Sequence, residues 1–135
     1  MPHPIITFRS TATEEIINYI DGLLLCGNDP AEWPLVEALI ALNIPILATG
    51  NGLHALNIVM GGKPPIKNLH LSETHDDSPF HRIFISPGSQ LAKILGSGGF
   101  VRVNSTHSFS LKEAQKSKEL SACAYGLTDG ILEGV

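Results

Sequence analysis

The stretch Ile46-Leu47-Ala48-Thr49-Gly50-Asn51-Gly52-Leu53-His54-Ala55-Leu56-Asn57 limits what this chain can fold into more than any other. A short apolar run meets two glycines and then passes into residues with helical periodicity. The pattern predicts a strand, a tight turn and a helix. A nucleophile elbow is built this way: the sharp turn lifts one side chain clear of the sheet and aims a helix N-terminus at it. The residue at the tip here is Gly50, which has no side chain. The pattern specifies an enzyme-like scaffold and omits the reagent.

The first half of the chain alternates strand and helix around that unit. Residues 5–8 are a strand candidate, and Thr11 or Thr13 caps a helix through Ile20, with Glu14 and Glu15 in its first turn. Residues 22–26 form a continuous apolar strand, as expected in a sheet covered on both faces. Asp29 is placed to cap a helix with Pro30 at its first position. Trp33, Val36, Leu39 and Ile40 carry that helix at helical spacing to about Leu42. Residues 44–48 make the next strand, and the elbow helix runs over 51–60 to Gly61-Gly62. The alternation predicts a mostly parallel sheet with helices on both faces, a flavodoxin-like three-layer α/β sandwich. Residues 63–79 are the least regular and read as a functional loop or small hairpin. Beyond them, strands are expected at 82–85, 100–103 and 120–124, a short helix at 89–95, and a loop or surface helix at 110–118. This strand-rich half suggests an appended antiparallel portion. No repeat or linker interrupts residues 1–135, which read as one domain.

Composition narrows the function classes. Of 135 residues, 43% are hydrophobic and 16% charged, which fits a globular core. The net charge of −4 argues against nucleic acid as a general partner. No apolar run approaches a membrane span, and the start Met1-Pro2-His3-Pro4 shows no signal-peptide pattern. Cys26 and Cys123 form no CxxC motif or disulfide framework, so a reduced cytoplasm is the simplest compartment. Gly96-Ser97-Gly98-Gly99 precedes a strand rather than a helix and matches no nucleotide loop, so no cofactor is expected.

Five stretches in order resemble the class I glutamine amidotransferase-like superfamily, closest to its gamma-glutamyl-gamma-aminobutyrate hydrolase branch. Asp21-Gly22-Leu23-Leu24-Leu25-Cys26-Gly27-Asn28 resembles the strand that ends in the oxyanion loop. Residues 48–62 resemble the elbow, its helix and the glycine pair after it. His81-Arg82-Ile83-Phe84-Ile85-Ser86-Pro87-Gly88-Ser89-Gln90-Leu91 with Ile94-Leu95-Gly96 resembles the next strand and turn. Val101-Arg102-Val103-Asn104-Ser105-Thr106-His107 resembles the substrate-side loop, and Gly126-Leu127-Thr128-Asp129-Gly130-Ile131-Leu132-Glu133 the late hairpin. The family has a cysteine nucleophile at the position of Gly50 and usually arginine at that of Asn51. Its oxyanion loop is usually Pro-Gly-Gly, where this chain has Cys26-Gly27-Asn28. Its catalytic His-Pro-Glu motif lies beyond the late hairpin, and the sequence stops at Val135. All three triad members are therefore unmatched. The resemblance implies a shortened amidotransferase-like fold and a degenerate, non-catalytic member that acts by binding. The partner is a second copy, another protein, or a small gamma-glutamyl or amino-acid-like ligand.

The candidate ligand-binding residues are Gly27, Asn28, Gly50, Asn51, Gly52, His54, Asn104, Ser105 and His107. Backbone N–H groups of Asn51, Gly52 and Gly27 are expected to face a crevice at a helix N-terminus and hold a carboxylate or carbonyl. His54 lies one turn past Gly50, on the crevice or the surface. Asn104, Ser105 or His107 bind substrate, or the loop is capped by its own Asn and Ser side chains. The alternative function is hydrolysis of gamma-glutamyl amides, with Cys26 as a displaced nucleophile and His54 or His107 as base, or with a partner subunit's residues. His70, His75, Asp76, Asp77 and His81 fit no compact zinc spacing, so no metal is expected. Trp33 reads as core or interface.

Overall fold

The computed structural model describes residues 16–67 and 80–135. They belong to two compact units, Met1–Val59 and Met60–Val135, each with its own core. The strand expected at 5–8, the capping residues Thr11 and Thr13, and the loop tip with His70, His75, Asp76 and Asp77 lie outside the described residues.

In the first unit, β1 (Leu23–Leu25) pairs in parallel with β2 (Ile46–Ala48), Leu23 opposite Ile46 and Leu25 opposite Ala48. Asp29 caps the following segment as its sequence implies. Its carboxylate accepts from the Ala31 N–H at 3.0 Å, and Pro30–Glu32 winds one 3-10 turn into α1 (Trp33–Ala41). Such a cap is worth about 1 kcal/mol. After β2 the chain turns into α2 (Asn51–Val59). Leu25, Val36 and Ala55 form the centre of the core, one residue from each of β1, α1 and α2, with Trp33, Ile40, Ile46, Ala48, Leu56 and Val59 against them. Val36 and Leu39 are fully buried, each such side chain contributing about 1.5–3 kcal/mol.

Strand periodicity sends Leu23 and Leu25 toward these helices and Leu24 away. Leu24 and its register partner Leu47 are 58% and 59% exposed. Coverage on both faces, expected from the apolar run, is thus not what β1 and β2 show. Both helices pack on the same side of the pair.

In the second unit, β3 (Ile66–Lys67) pairs antiparallel with β6 (Phe109–Ser110). The larger sheet contains β4 (Phe80–Ile85), β5 (Gly99–Asn104), β7 (Ala124–Gly126) and β8 (Leu132–Gly134) in the order β5-β4-β7-β8, all antiparallel. Its apolar face, Ile83, Ile85 and Ala124, packs on Ala92 of α3 (Gln90–Leu95), whose N-cap Ser89 accepts from the Ala92 N–H at 3.1 Å. The strand-rich half is the antiparallel portion its sequence suggests. A mostly parallel sheet is not observed among the described residues. Parallel pairing needs a crossover helix, and the β1–β2 connection through α1 is the one parallel pairing described here.

Two further expectations are refined. Of the two alternatives for residues 110–118, the loop is observed and the surface helix is not, and parts of that loop are buried. Ser110, Leu111 and Ser117 are buried, Leu111 bridges to Leu132, and the Ser117 hydroxyl donates to the Met60 carbonyl. The strand expected at 120–124 begins only at Ala124. The Leu120 carbonyl accepts from Lys116 Nζ at 2.8 Å and the Ala122 carbonyl from the Tyr125 hydroxyl at 3.4 Å, so neither is offered to a neighbouring strand.

Gly52 marks the tightest packing in the first unit. A Cβ there would stand 2.0 Å from the Leu25 carbonyl oxygen. Gly50 is different: its φ is +54° and a Cβ would meet nothing within 4 Å. Gly52→Ala is expected to cost about 3 kcal/mol through forced separation of α2 from β1. Gly50→Ala should cost about 1–2 kcal/mol through its left-handed backbone alone. Urea denaturation of both variants measures the order, and equal losses would overturn this assignment of roles.

Candidate functional site

The elbow is assembled by backbone hydrogen bonds that its sequence leaves no room to avoid. Thr49 N–H donates to the Leu25 carbonyl at 2.8 Å, extending the β1–β2 ladder one residue beyond the strands. Gly50 then takes its positive φ, which glycine adopts without the steric cost other residues carry. Gly52 N–H donates to the Thr49 carbonyl at 2.9 Å and Leu53 N–H to the Gly50 carbonyl at 3.2 Å, closing the first turn into α2. The turn therefore keeps the conformation of a nucleophile elbow, with open space where a side chain would project.

These bonds revise the expected anion-binding set. The Gly52 N–H is engaged inside the turn and the residue is buried, so it offers no donor to a ligand. Asn51, exposed at the first position of α2, and Gly27, exposed just beyond β1, remain as backbone donors at the strand ends. Neither amide donates to another backbone group among the described residues. Asn28 is also exposed there. The surroundings are not purely anion-attracting. A Cβ on Gly27 would lie 3.5 Å from the Glu32 Oε2 atom, so a carboxylate flanks that side. The helix N-terminus attracts negative charge and Glu32 repels it. A ligand suited to both carries a positive group toward Glu32 and an acceptor toward Asn51.

Cys26 is a free, exposed cysteine directly after β1. Its sulfur accepts from the Thr49 hydroxyl at 3.4 Å, which places the thiol beside the elbow. Thr49 and Glu32 are site neighbours that the sequence reading passed over. Thr49 was signalled by being the polar residue that ends an apolar strand. His54 is 8% exposed, so the surface alternative for it is excluded. Asn57, three residues on and fully buried, shares its helix face, a polar pair at i,i+3 spacing within an apolar helix. Trp33 is a core residue, packed on the Leu25–Val36–Ala55 cluster, with its indole N–H buried and unpartnered among the described residues.

The second unit holds the remaining candidates. Asn104 ends β5 opposite Phe80 and is exposed, and Ser105 is half-buried. His107 Nδ1 lies 2.9 Å from the Phe109 carbonyl and 3.3 Å from the Ser110 hydroxyl. A carbonyl only accepts, so Nδ1 carries the proton and the ring is held by its own loop. His81 Nε2 contacts Glu133 Oε1 at 3.1 Å, joining β4 to β8. No three His, Cys, Asp or Glu side chains converge as metal ligands among the described residues. No helix among them is long and apolar enough to cross a membrane.

Burial pushes the Cys123 thiol above the ordinary cysteine range, so it stays protonated and inert at neutral pH. Iodoacetamide is expected to modify Cys26 in the folded protein and Cys123 only after unfolding. In Gly50→Cys, with the helix N-terminus behind the new thiol, alkylation at residue 50 should outpace that at Cys26 by about tenfold. Peptide mapping by mass spectrometry resolves the three sites. A residue 50 thiol slower than Cys26 would mean the elbow no longer activates a nucleophile.

Comparison with known proteins agrees with this geometry. The chain is 24% identical to a protein of Schizosaccharomyces pombe (strain 972 / ATCC 24843) named as a putative glutamine amidotransferase, over 163 aligned positions that take in 98% of this chain. The chain spans 62% of that relative's length. The aligned stretch is longer than the chain, so the relative carries insertions opposite gaps here. The Peptidase C26 family profile matches residues 28–135, from the loop after β1 through the elbow to β8, and the chain belongs to that family, within the class I glutamine amidotransferase-like superfamily.

Proposed function

We propose that this chain is a non-catalytic amidotransferase-like domain that binds a small amino-acid-like ligand at its elbow. The observation that carries the reading is Gly50. The tip of an otherwise intact elbow has no atom that can attack a carbonyl. Whatever residues surround it, a cysteine mechanism at this position lacks its nucleophile. The amides of Asn51 and Gly27 supply donors for a carboxylate or amide oxygen, and Glu32 supplies a counter-charge for an α-ammonium. That pairing favours free or gamma-linked glutamyl compounds over simple dianions. Asn28 is exposed at the same strand end. In this reading residues 1–135 act as one domain of the flavodoxin-like three-layer fold, with β1 and β2 in its parallel part. The domain works in the cytoplasm without metal or cofactor. Association with a second copy or another protein accompanies ligand binding.

Calorimetric titration with glutamine and with glutarate tests it. Glutamine is expected to bind, and Glu32→Gln to weaken it about tenfold, roughly 1.4 kcal/mol. Glutarate, which lacks the ammonium, should bind more weakly and lose nothing in the variant. Absence of glutamine binding at millimolar concentration would end the elbow-ligand reading.

A second reading is favoured by one contact, the Thr49 hydroxyl on the Cys26 sulfur. It makes Cys26 a displaced nucleophile for gamma-glutamyl amide hydrolysis. Here gamma-glutamyl-p-nitroanilide should be hydrolysed by the native chain and not by Cys26→Ala. Hydrolysis that persists in Cys26→Ala excludes the displaced nucleophile.

A further inference from the structure

The antiparallel sheet of the second unit has a face that its own core does not use. Register places Phe80 opposite Asn104, Arg82 opposite Arg102, and Phe84 opposite both Phe100 and Tyr125. Residues directly opposite one another in an antiparallel sheet share a face. Phe80, Arg82, Phe84, Phe100, Arg102 and Tyr125 therefore lie together, on the side away from Ile83, Ile85 and α3. Phe100 is 73% exposed and Phe80 51%. The Phe84 and Phe100 ring centroids are 5.2 Å apart, and the Arg102 guanidinium stands 4.8 Å over the Phe80 ring.

Two features of this face point to what covers it. Arg82 and Arg102 are directly opposite in register, and neither has a carboxylate partner among the described residues. Like charges in that position repel, and an anion between them turns the repulsion into attraction. The face also borders a strand edge. In the order β5-β4-β7-β8, β5 is the outer strand among the described residues, six residues with no proline and no lysine to discourage pairing. No described strand pairs with its outer N–H and C=O groups.

We infer that this edge and face form a docking site for an extended, acidic and apolar polypeptide segment, which pairs with β5 and sets its acidic side chains on Arg82 and Arg102 and its apolar ones on Phe80 and Phe100. The mode is β-strand addition, with backbone pairing for affinity and alternate side chains for specificity. Single-stranded nucleic acid also stacks on sheet aromatics, but it makes no use of a free strand edge. This unit moreover sets seven acidic residues against eight basic ones, so it lacks the basic groove that tracks a long phosphate backbone, whereas a segment with a few carboxylates meets the two arginines locally. The inference concerns residues of the second unit alone and stands whether or not the elbow takes a ligand.

The probe is a dye-labelled ten-residue peptide, Glu-Thr-Val-Thr-Glu-Thr-Val-Thr-Glu-Thr, whose odd positions set Glu and Val on one face of a strand; it is titrated with the full chain and read by fluorescence anisotropy. Saturable binding is expected, weakening as salt screens the arginines. Arg102→Glu should weaken it at least about tenfold, Arg102→Lys less, and Phe100→Ser severalfold. A peptide with the same side chains but N-methylated at every residue should fail to bind, because neither of its edges can pair with β5. Thermal unfolding checks that Arg102→Glu remains folded. The proposal is overturned if the N-methylated peptide binds equally well, if Arg102→Glu leaves affinity unchanged while folded, or if no binding occurs. It is equally overturned if an oligothymidine of similar length binds more tightly than the peptide, or if the face proves to be occupied by a second copy whose association Arg102→Glu abolishes. None of these outcomes touches glutamine binding at the elbow.

Discussion

The close approach of α2 to β1 is the constraint on which the first unit depends. The helix N-terminus sits against the Leu25 carbonyl, at a distance only a residue without a Cβ permits, and that residue is Gly52. This contact fixes where α2 begins. The helix start in turn fixes the Thr49–Gly50 turn, because Gly52 donates back to Thr49 and Leu53 to Gly50. The ladder bond from Thr49 to Leu25 ties the same turn to the end of β1. Cys26, Gly27 and the elbow amides are neighbours as a consequence. Moving the helix outward by the width of a methyl group would loosen all three bonds together.

Given that frame, the two glycines of the elbow separate into different physical roles. Gly52 is needed for space and Gly50 for backbone conformation. A residue with a side chain at position 50 would hold φ near +54° at a cost of about 1–2 kcal/mol. Active sites commonly carry such strain because the chemistry requires the side chain there. With glycine at the tip the strain is absent and the turn persists, since the hydrogen bonds that shape it are all made by backbone. Conformation and reagent are thus separable in this elbow.

What the sequence disclosed, and what it withheld, follows the range of the forces involved. Local chemistry was readable. Asp29 with Pro30, the short helix near 89–95, the glycine turn and both flanking helices appear where propensity puts them, because each is settled within four residues. Non-local choices were not readable. An apolar run such as 22–26 cannot say whether one face or two will be covered, and Leu24 and Leu47 remain exposed. The polar run 110–118 hides a buried serine because its partner, the Met60 carbonyl, is remote in sequence. The Gly52 amide looked available until the turn that consumes it was in view. The burial of His54 and Asn57 could be inferred only from their shared spacing. The family resemblance carried the fold assignment further than periodicity did, since a parallel pair followed by an antiparallel sheet has no single period.

The same separation of local from non-local explains the sheet of the second unit. Strand alternation in β4 assigns Ile83 and Ile85 to the core and Phe80, Arg82 and Phe84 to the opposite face, a pattern visible in six consecutive residues. Only pairing with β5 brings Arg102 opposite Arg82 and Phe100 opposite Phe84. An isolated arginine on a strand is solvated and uninformative. Two facing each other between aromatic rings, with no acid between them among the described residues, raise the electrostatic energy of that face by an amount an anionic partner can remove. A sheet selected only for stability would place an acidic residue in one of those two positions, where an opposite-charge pair contributes about 0.2–1 kcal/mol. Keeping both cations forgoes that contribution on a surface where a single substitution would recover it, so the charge pattern is better explained by what the face meets than by what the fold needs.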